Sequence, residues 1–365
     1  MKHFIALTII IAGLGFEAVF AQQSEIHAAP IMDAPFEEKI KFGLGRIEAA
    51  DMPVIVAYSH KGGEVQIKEF GALLDDGIPP ELTQIDINSI TKTVTGIMAA
   101  KLVEQGKVRF DERLDEIFDD VPVDKAGITL HQLLTHSAGL VDVVGEDHEK
   151  FGKEEFLDRI FRSDLRSVPG KIYRYSNAGY SVVAAVIEER SGKTYDAFLR
   201  EDVLAGLGFS NTGYMSVYDD SRSIRTAKGQ TIFEASWGGH EPYWNLIGNG
   251  GLVSTVPEML AFRQAVVSGK IISLEMLQTV QTPHIKEDEA ATSFYGYGLV
   301  VQDVKDVGRV YWHNGGNRVF SAQWGDYSEQ GDVLFAAGSD SDKGNAFGAM
   351  RKFEAYLYGY GDVKN

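Results

Sequence analysis

Cysteine is absent from all 365 residues. Disulfides, thiolate metal sites, iron–sulfur clusters and thiol nucleophiles are therefore excluded together, and any nucleophile must be oxygen or nitrogen. Positive charge is also scarce: 35 Lys and Arg stand against 52 Asp and Glu, for a formal net charge of -17. That surplus repels phosphate backbones, and no Lys/Arg run makes a local basic patch, so nucleic acid is not an expected partner. The chain has no Walker A loop, no G-x-G-x-x-G, no G-x-S-x-G elbow and no H-E-x-x-H. Its nine histidines are scattered, and His131 and His136, five apart, suit neither a helix face nor a zinc pattern. Both are read as structural, with His136 bonding the backbone of a tight turn at Gly139. No metal and no organic cofactor is expected. Internal repeats and low-complexity tracts are missing, and after the first segment no stretch is apolar enough to span a bilayer.

What remains is the composition of an ordinary globular protein, 44% hydrophobic and 24% charged. Residues 1–21 read as a signal peptide: Lys2, an apolar run from Phe4 to Phe16, then Val19-Phe20-Ala21 at a cleavage site. Cleavage after Ala21 leaves no stable membrane anchor and predicts a periplasmic or secreted protein over residues 22–365. A helix is expected over Pro35–Ala50, and a hairpin over Pro53–Ser59 and Glu64–Gly71 joined by His-Lys-Gly-Gly. Helical spacing follows at Ser89–Glu104, Leu130–Thr135, Lys153–Arg162, Ala178–Glu189, Tyr195–Ala205 and Pro257–Val267. Strands return at Tyr295–Val301, Arg309–His313, Val319–Asp326 and Val333–Gly338, before a closing helix over Ala346–Tyr358. The expected fold is α+β: an antiparallel sheet completed by both termini and flanked by helices (about 30–85 and 250–363). An all-helical lobe (about 86–249) is expected beside it, with a cleft between the lobes.

Three short motifs could carry chemistry. In Ser89-Ile90-Thr91-Lys92, opening a helix, Ser89 and Lys92 share a face. A desolvated lysine could accept the serine proton, and a helix-start N–H could face an oxyanion. The plain reading is an N-cap. In Tyr175-Ser176-Asn177, a phenol whose pKa a nearby cation lowers could shuttle a proton and Asn177 could hold a substrate carbonyl; the plain reading is a capped loop. His313-Asn314-Gly315-Gly316 is either a hairpin turn or a strand that lets a substrate approach and offers the Gly316 N–H.

In this order, S-x-x-K, Y-S-N and H-x-G resemble the serine β-lactamase and penicillin-binding-protein superfamily, in particular its class C β-lactamase and D-stereospecific carboxypeptidase/esterase branch. Supporting stretches are residues 87–108, 128–140, 169–192, 248–262 and 295–301, so the resemblance runs from about residue 50 to the last helix. It implies a β-lactamase/transpeptidase-like fold with Ser89 as nucleophile, Lys92 and Tyr175 handling protons, and Asn177 touching substrate. His313 stands where the commoner pattern has lysine. Asn314 and Gly316 replace the usual hydroxyl-bearing residues, which weakens recognition of a free carboxylate. Strand alternation places Asn314, Gly316 and Arg318 on one face, from which Arg318 could grip a carboxylate. The expected function is an exported serine hydrolase that acts through an acyl-enzyme on an ester, D-amino-acid amide or lactam carbonyl of a small molecule or short peptide. The alternative is a catalytically weak protein of the same fold that binds cell-wall peptides.

Overall fold

The run Pro53–Ser59 carries apolar side chains at consecutive positions, which a strand can bury only if both faces are covered. The computed structural model, which describes residues 34–71, 73 and 77–359, shows such a strand. The leader expected at 1–21 lies outside the described residues. β1 (Val54–His60) pairs antiparallel with β2 (Gln66–Phe70) on one side and β10 (Asp332–Ser339) on the other. Between them in sequence come β3 (Ile85–Asp86), β4 (Val253–Ser254), β5 (Ile285–Lys286), β6 (Ser293–Tyr295), β7 (Val300–Val304), β8 (Gly308–Gly316) and β9 (Phe320–Tyr327). One sheet has the order β2-β1-β10-β9-β8-β7-β6-β5, while β3 and β4 pair separately. The N-terminal hairpin thus adjoins the last strand of the meander, which is how both ends of the chain complete one sheet.

Two cores cover this sheet. Val54 and Val56 pack with Leu334 and Ala336 under α1 (Phe36–Ala49) and the closing helix Ala346–Tyr358. Ile55 and Ala57 point the other way, into the larger core with Phe335 and Ala337. That core continues through α2 (Thr91–Glu104), which is buried on nearly every side, including Lys92. A helix buried all round must be central. α2 packs against α3 (Asn177–Ser191) on the helical side and α4 (Leu274–Val280) on the sheet side.

Two expected elements differ. Tyr295–Val301 is a hairpin rather than one strand, with β6 and β7 on either side of a turn. At Gly298 φ is +83°, and an added Cβ would stand 2.2 Å from the Lys92 carbonyl oxygen. Only glycine lets this turn lie on the first turn of α2, where Thr93 Oγ1 donates to the Gly298 carbonyl at 2.6 Å. Tyr195–Ala205 is helical as far as Val203, but only Tyr195–Phe198 is α-helical before it widens into a π-helix, Leu199–Val203.

Candidate active site

Ser89 lies in a tight turn, Asn88–Ile90, that leads from β3 into α2. Asn88 takes a left-handed conformation, φ 48°, and is buried, as is Ile90; Ser89 between them is partly open. The expectation that Ser89 caps the helix is not met: Ile90 holds the cap position and no side chain caps there. The Ser89 hydroxyl instead meets the amine of Lys92, with Nζ 3.1 Å from Oγ.

Lys92 is buried, and its Nζ also donates to Asn177 Oδ1 and to the Asn249 carbonyl, each at 2.7 Å. Burial lowers its pKa from 10.5 to about 7, although Asp142 and Asp147 pull the other way. A neutral amine has two N–H donors and one lone pair. With both donors taken by Asn177 and Asn249, the lone pair is left for the Ser89 hydroxyl. The sign of the pH dependence follows. If Lys92 takes the Ser89 proton, as the sequence leads one to expect, reaction at Ser89 should rise as pH increases through about 7 and level off above it, because the protonated amine cannot accept a proton. A pH profile of kcat/KM on an uncharged ester measures this; a flat profile between pH 5 and about 9 contradicts it.

Tyr175 lies over the same amine, its ring centroid 4.7 Å from Lys92 Nζ. Its phenol is within hydrogen-bonding reach of Ser89, yet burial pushes the phenol pKa up from 10. The expectation of a phenol lowered by a nearby cation is therefore reversed. Tyr175 remains protonated at neutral pH and suits donation better than abstraction. Ser176 caps α3, accepting from the Gly179 N–H at 2.8 Å, and donates to the Val141 carbonyl at 2.6 Å. Asn177 is oriented by Asp142, whose Oδ1 accepts both its backbone N–H and its amide at 3.2 Å. His136 serves the Tyr175 loop rather than a turn at Gly139: its Nδ1 accepts the Ser176 N–H at 3.0 Å, and its carbonyl accepts from Arg174. Its ring packs 4.4 Å from that of Tyr175.

β8 forms the opposite wall. Its last pairing with β7 is Val300↔Trp312, whereas pairing with β9 continues to Gly316↔Ser321. The Asn317 N–H bonds the Phe320 carbonyl at 3.0 Å, so residues 313, 315 and 317 direct their backbone groups at β9. Asn314 and Gly316 therefore aim their N–H groups at the edge that β7 leaves open. Side chains alternate at right angles to this. A Cβ on Gly315 would lie 2.3 Å from the Ser89 nitrogen, while one on Gly316 would meet Phe347. The face shared by Asn314 and Gly316 is thus turned away from Ser89, contrary to the expectation that it lines the cleft. Arg318 lies beyond the strand, exposed in the β8–β9 turn, where strand alternation no longer applies. It is near enough to Asp147 for its charge to be felt there.

His313 faces the same side as Gly315 and is buried. Its Nδ1 lies 2.5 Å from the Asn314 carbonyl and must donate to it, so Nε2 accepts from the Tyr295 hydroxyl at 2.9 Å. Burial, reinforced by Lys92, lowers its pKa to about 3. The ring is neutral and supplies no charge to the cleft. Gly315→Ala is expected to push β8 off Ser89 and lower kcat/KM about 100-fold, because misplacement by about 1 Å has that cost. Kinetics beside a thermal melt check this, and unchanged kinetics contradict it.

The structure brings Ser89, Lys92, Tyr175, Asn177, His313 and Gly316 to one place. Sequence reasoning missed Asp142 and the Asn249 carbonyl, the contacts that orient Asn177 and Lys92. Among the described residues, no group of three or more His, Cys, Asp or Glu is placed to hold a metal.

The Beta-lactamase family model matches residues 46–353. The chain is 23% identical over 349 residues to Penicillin-binding protein 4* of Bacillus subtilis (strain 168), across 88% of this chain and 74% of that one. It is 26% identical over 286 residues to the D-alanyl-D-alanine-carboxypeptidase/endopeptidase AmpH of Escherichia coli (strain K12), across 73% of this chain and 70% of that one. The solved D-amino acid amidase from Ochrobactrum anthropi SV3 shares the fold, with a TM-score of 0.72 at 22% identity over 88% of this chain and 97% of that one. The chain belongs to the β-lactamase family, and it is a serine hydrolase of the β-lactamase/penicillin-binding-protein-like superfamily.

Proposed function

We propose that this hydrolase is exported and works through an acyl-enzyme on Ser89, on neutral or ammonium-bearing esters and D-amino-acid amides or peptides. The observation that carries the reading is the buried Lys92 amine, with two acceptors holding its N–H groups and Ser89 Oγ at 3.1 Å. Lys92 takes the Ser89 proton as Oγ attacks the carbonyl. The N–H groups of Ser89 and Gly316 stabilise the oxyanion. Tyr175 hands a proton to the leaving group and draws its replacement from Lys92. Water then attacks the acyl ester, its proton returns to the Lys92–Tyr175 pair, and Ser89 leaves with a proton. The leader sequence is the support for export. Among the described residues, no helix is long and apolar enough to cross a membrane.

The substrate preference rests on charge. His313 is neutral, and Asp142 and Asp147 lie close enough to Lys92 for their charges to be felt there. Glu287 similarly acts on Tyr175. Such a cleft tolerates a substrate ammonium and offers little to a carboxylate. A solved D-amino acid amidase of the same fold fits this reading. The test compares kcat/KM for an uncharged ester, a D-amino-acid amide and benzylpenicillin. The first two are expected to be turned over well and penicillin poorly. Penicillin as the best substrate would overturn the preference.

A further inference from the structure

The tip of β8 has a sheet partner on one edge only, yet its Gly316 N–H must keep a set distance from Ser89. One buried carboxylate joins the two segments. Asp86, the last residue of β3, accepts the Asn88 N–H on Oδ1 at 2.8 Å, inside the turn that presents Ser89. Its Oδ2 accepts the amide of Asn317, from the β8–β9 turn, at 3.1 Å. The Asn317 oxygen in turn accepts the N–H groups of Val319 and Phe320, both at 2.8 Å. Asn317 Nδ2 also donates to Ser236 Oγ at 3.0 Å, and the Ser236 hydroxyl serves Asp86. Asn88 adds a weaker tie from its own amide to the Phe320 carbonyl at 3.4 Å.

A carboxylate this deeply buried is costly unless its bonds compensate, and burial here raises its pKa to about 6. Its bonds go to the turn that holds Ser89 and to Asn317, the residue that follows Gly316. We propose that Asp86 is a positioning residue for acylation: through Asn88 and Asn317 it holds the Ser89 turn and the β8–β9 turn at the separation at which the Ser89 and Gly316 N–H groups converge. This rests on Ser89 being the nucleophile. Asp86 touches no substrate, so its effect falls on the rate of the covalent step and leaves initial binding alone.

The probe is an uncharged alkyl fluorophosphonate, with the rate and extent of labelling followed by intact mass. Asp86→Asn keeps an acceptor for Asn88 but turns an amide N–H towards the amide of Asn317. Asn317→Asp instead sets two carboxylates face to face. The double exchange D86N/N317D restores one donor opposite one acceptor. Each single variant is expected to lower the limiting labelling rate about 30-fold, with half-saturation within about twofold, as for a misplaced oxyanion donor. The double exchange should return to within about threefold of the parent rate. A purely structural role would change the fraction of protein that labels, not the rate of the fraction that does. If D86N does not fold, Asn317→Ala cuts the same tie and carries the same expectation. A parent-like rate in the singles, or a double exchange no faster than either, overturns the proposal. Loss of labelling at Ser89 in the parent protein would instead overturn the nucleophile assignment, and this proposal with it.

Discussion

Ser89→Ala is expected to lower turnover of the best substrate on the order of 10⁴-fold or more, because a nucleophile cannot be replaced by its surroundings. The fold should barely notice. Ser89 caps no helix, and its hydroxyl contacts Lys92 Nζ, which keeps Asn177 and Asn249 as partners in the variant. The thermal midpoint is therefore expected to stay within about 2 °C of the parent. Steady-state kinetics beside a thermal melt make the check. A variant that turns over at the parent rate removes Ser89 from the mechanism, and one that unfolds shows that the turn needs the hydroxyl.

The second large effect is at Lys92 and Tyr175. Lys92→Ala removes the proposed base and leaves two oriented acceptors without their donor, so a loss of about 10³-fold is expected. Tyr175→Phe keeps the ring against Lys92 and His136 but removes the proposed proton donor, for an expected loss of about 10²-fold. The double variant should be no more than about threefold worse than the worse single, since groups that pass one proton along a chain act as a unit. Fully multiplicative losses would show that the two side chains do separate jobs.

Local spacing made part of this site legible. Ser89 and Lys92 are three apart at a helix start, so their contact follows from helix geometry alone. Gly315-Gly316 was readable as a close approach, and the 2.3 Å from an added Gly315 Cβ to the Ser89 nitrogen shows what approaches. The direction of each glycine was not readable. It depends on where β7 stops pairing and where β9 turns back at Asn317, and neither leaves a mark in the pattern of Asn314, Gly316 and Arg318. Spacing alone therefore left open which side the β8 face of Asn314 and Gly316 takes, and the structure turns it away from Ser89. Asp142 and the Asn249 carbonyl act on Asn177 and Lys92 across long stretches of chain, and a backbone carbonyl carries no side-chain signature. The Tyr175 phenol was misread because a nearby cation is visible in a motif and burial is not, yet burial dominates. The sheet was easier. Alternation and turn residues located most of its strands, but the two-residue edge strand β5 was missed and the glycine-bent stretch Tyr295–Val301 hid a hairpin inside an apparently continuous run.

The central claim is that Ser89 is the atom acylated, and locating the covalent adduct tests it most directly. Parent protein and Ser89→Ala are treated with a fluorophosphonate at pH 8, digested and sequenced by mass spectrometry. The account predicts one adduct, on the peptide holding Ser89 in the parent, and none in the variant. An adduct on another residue, or equal labelling of both proteins, would contradict it.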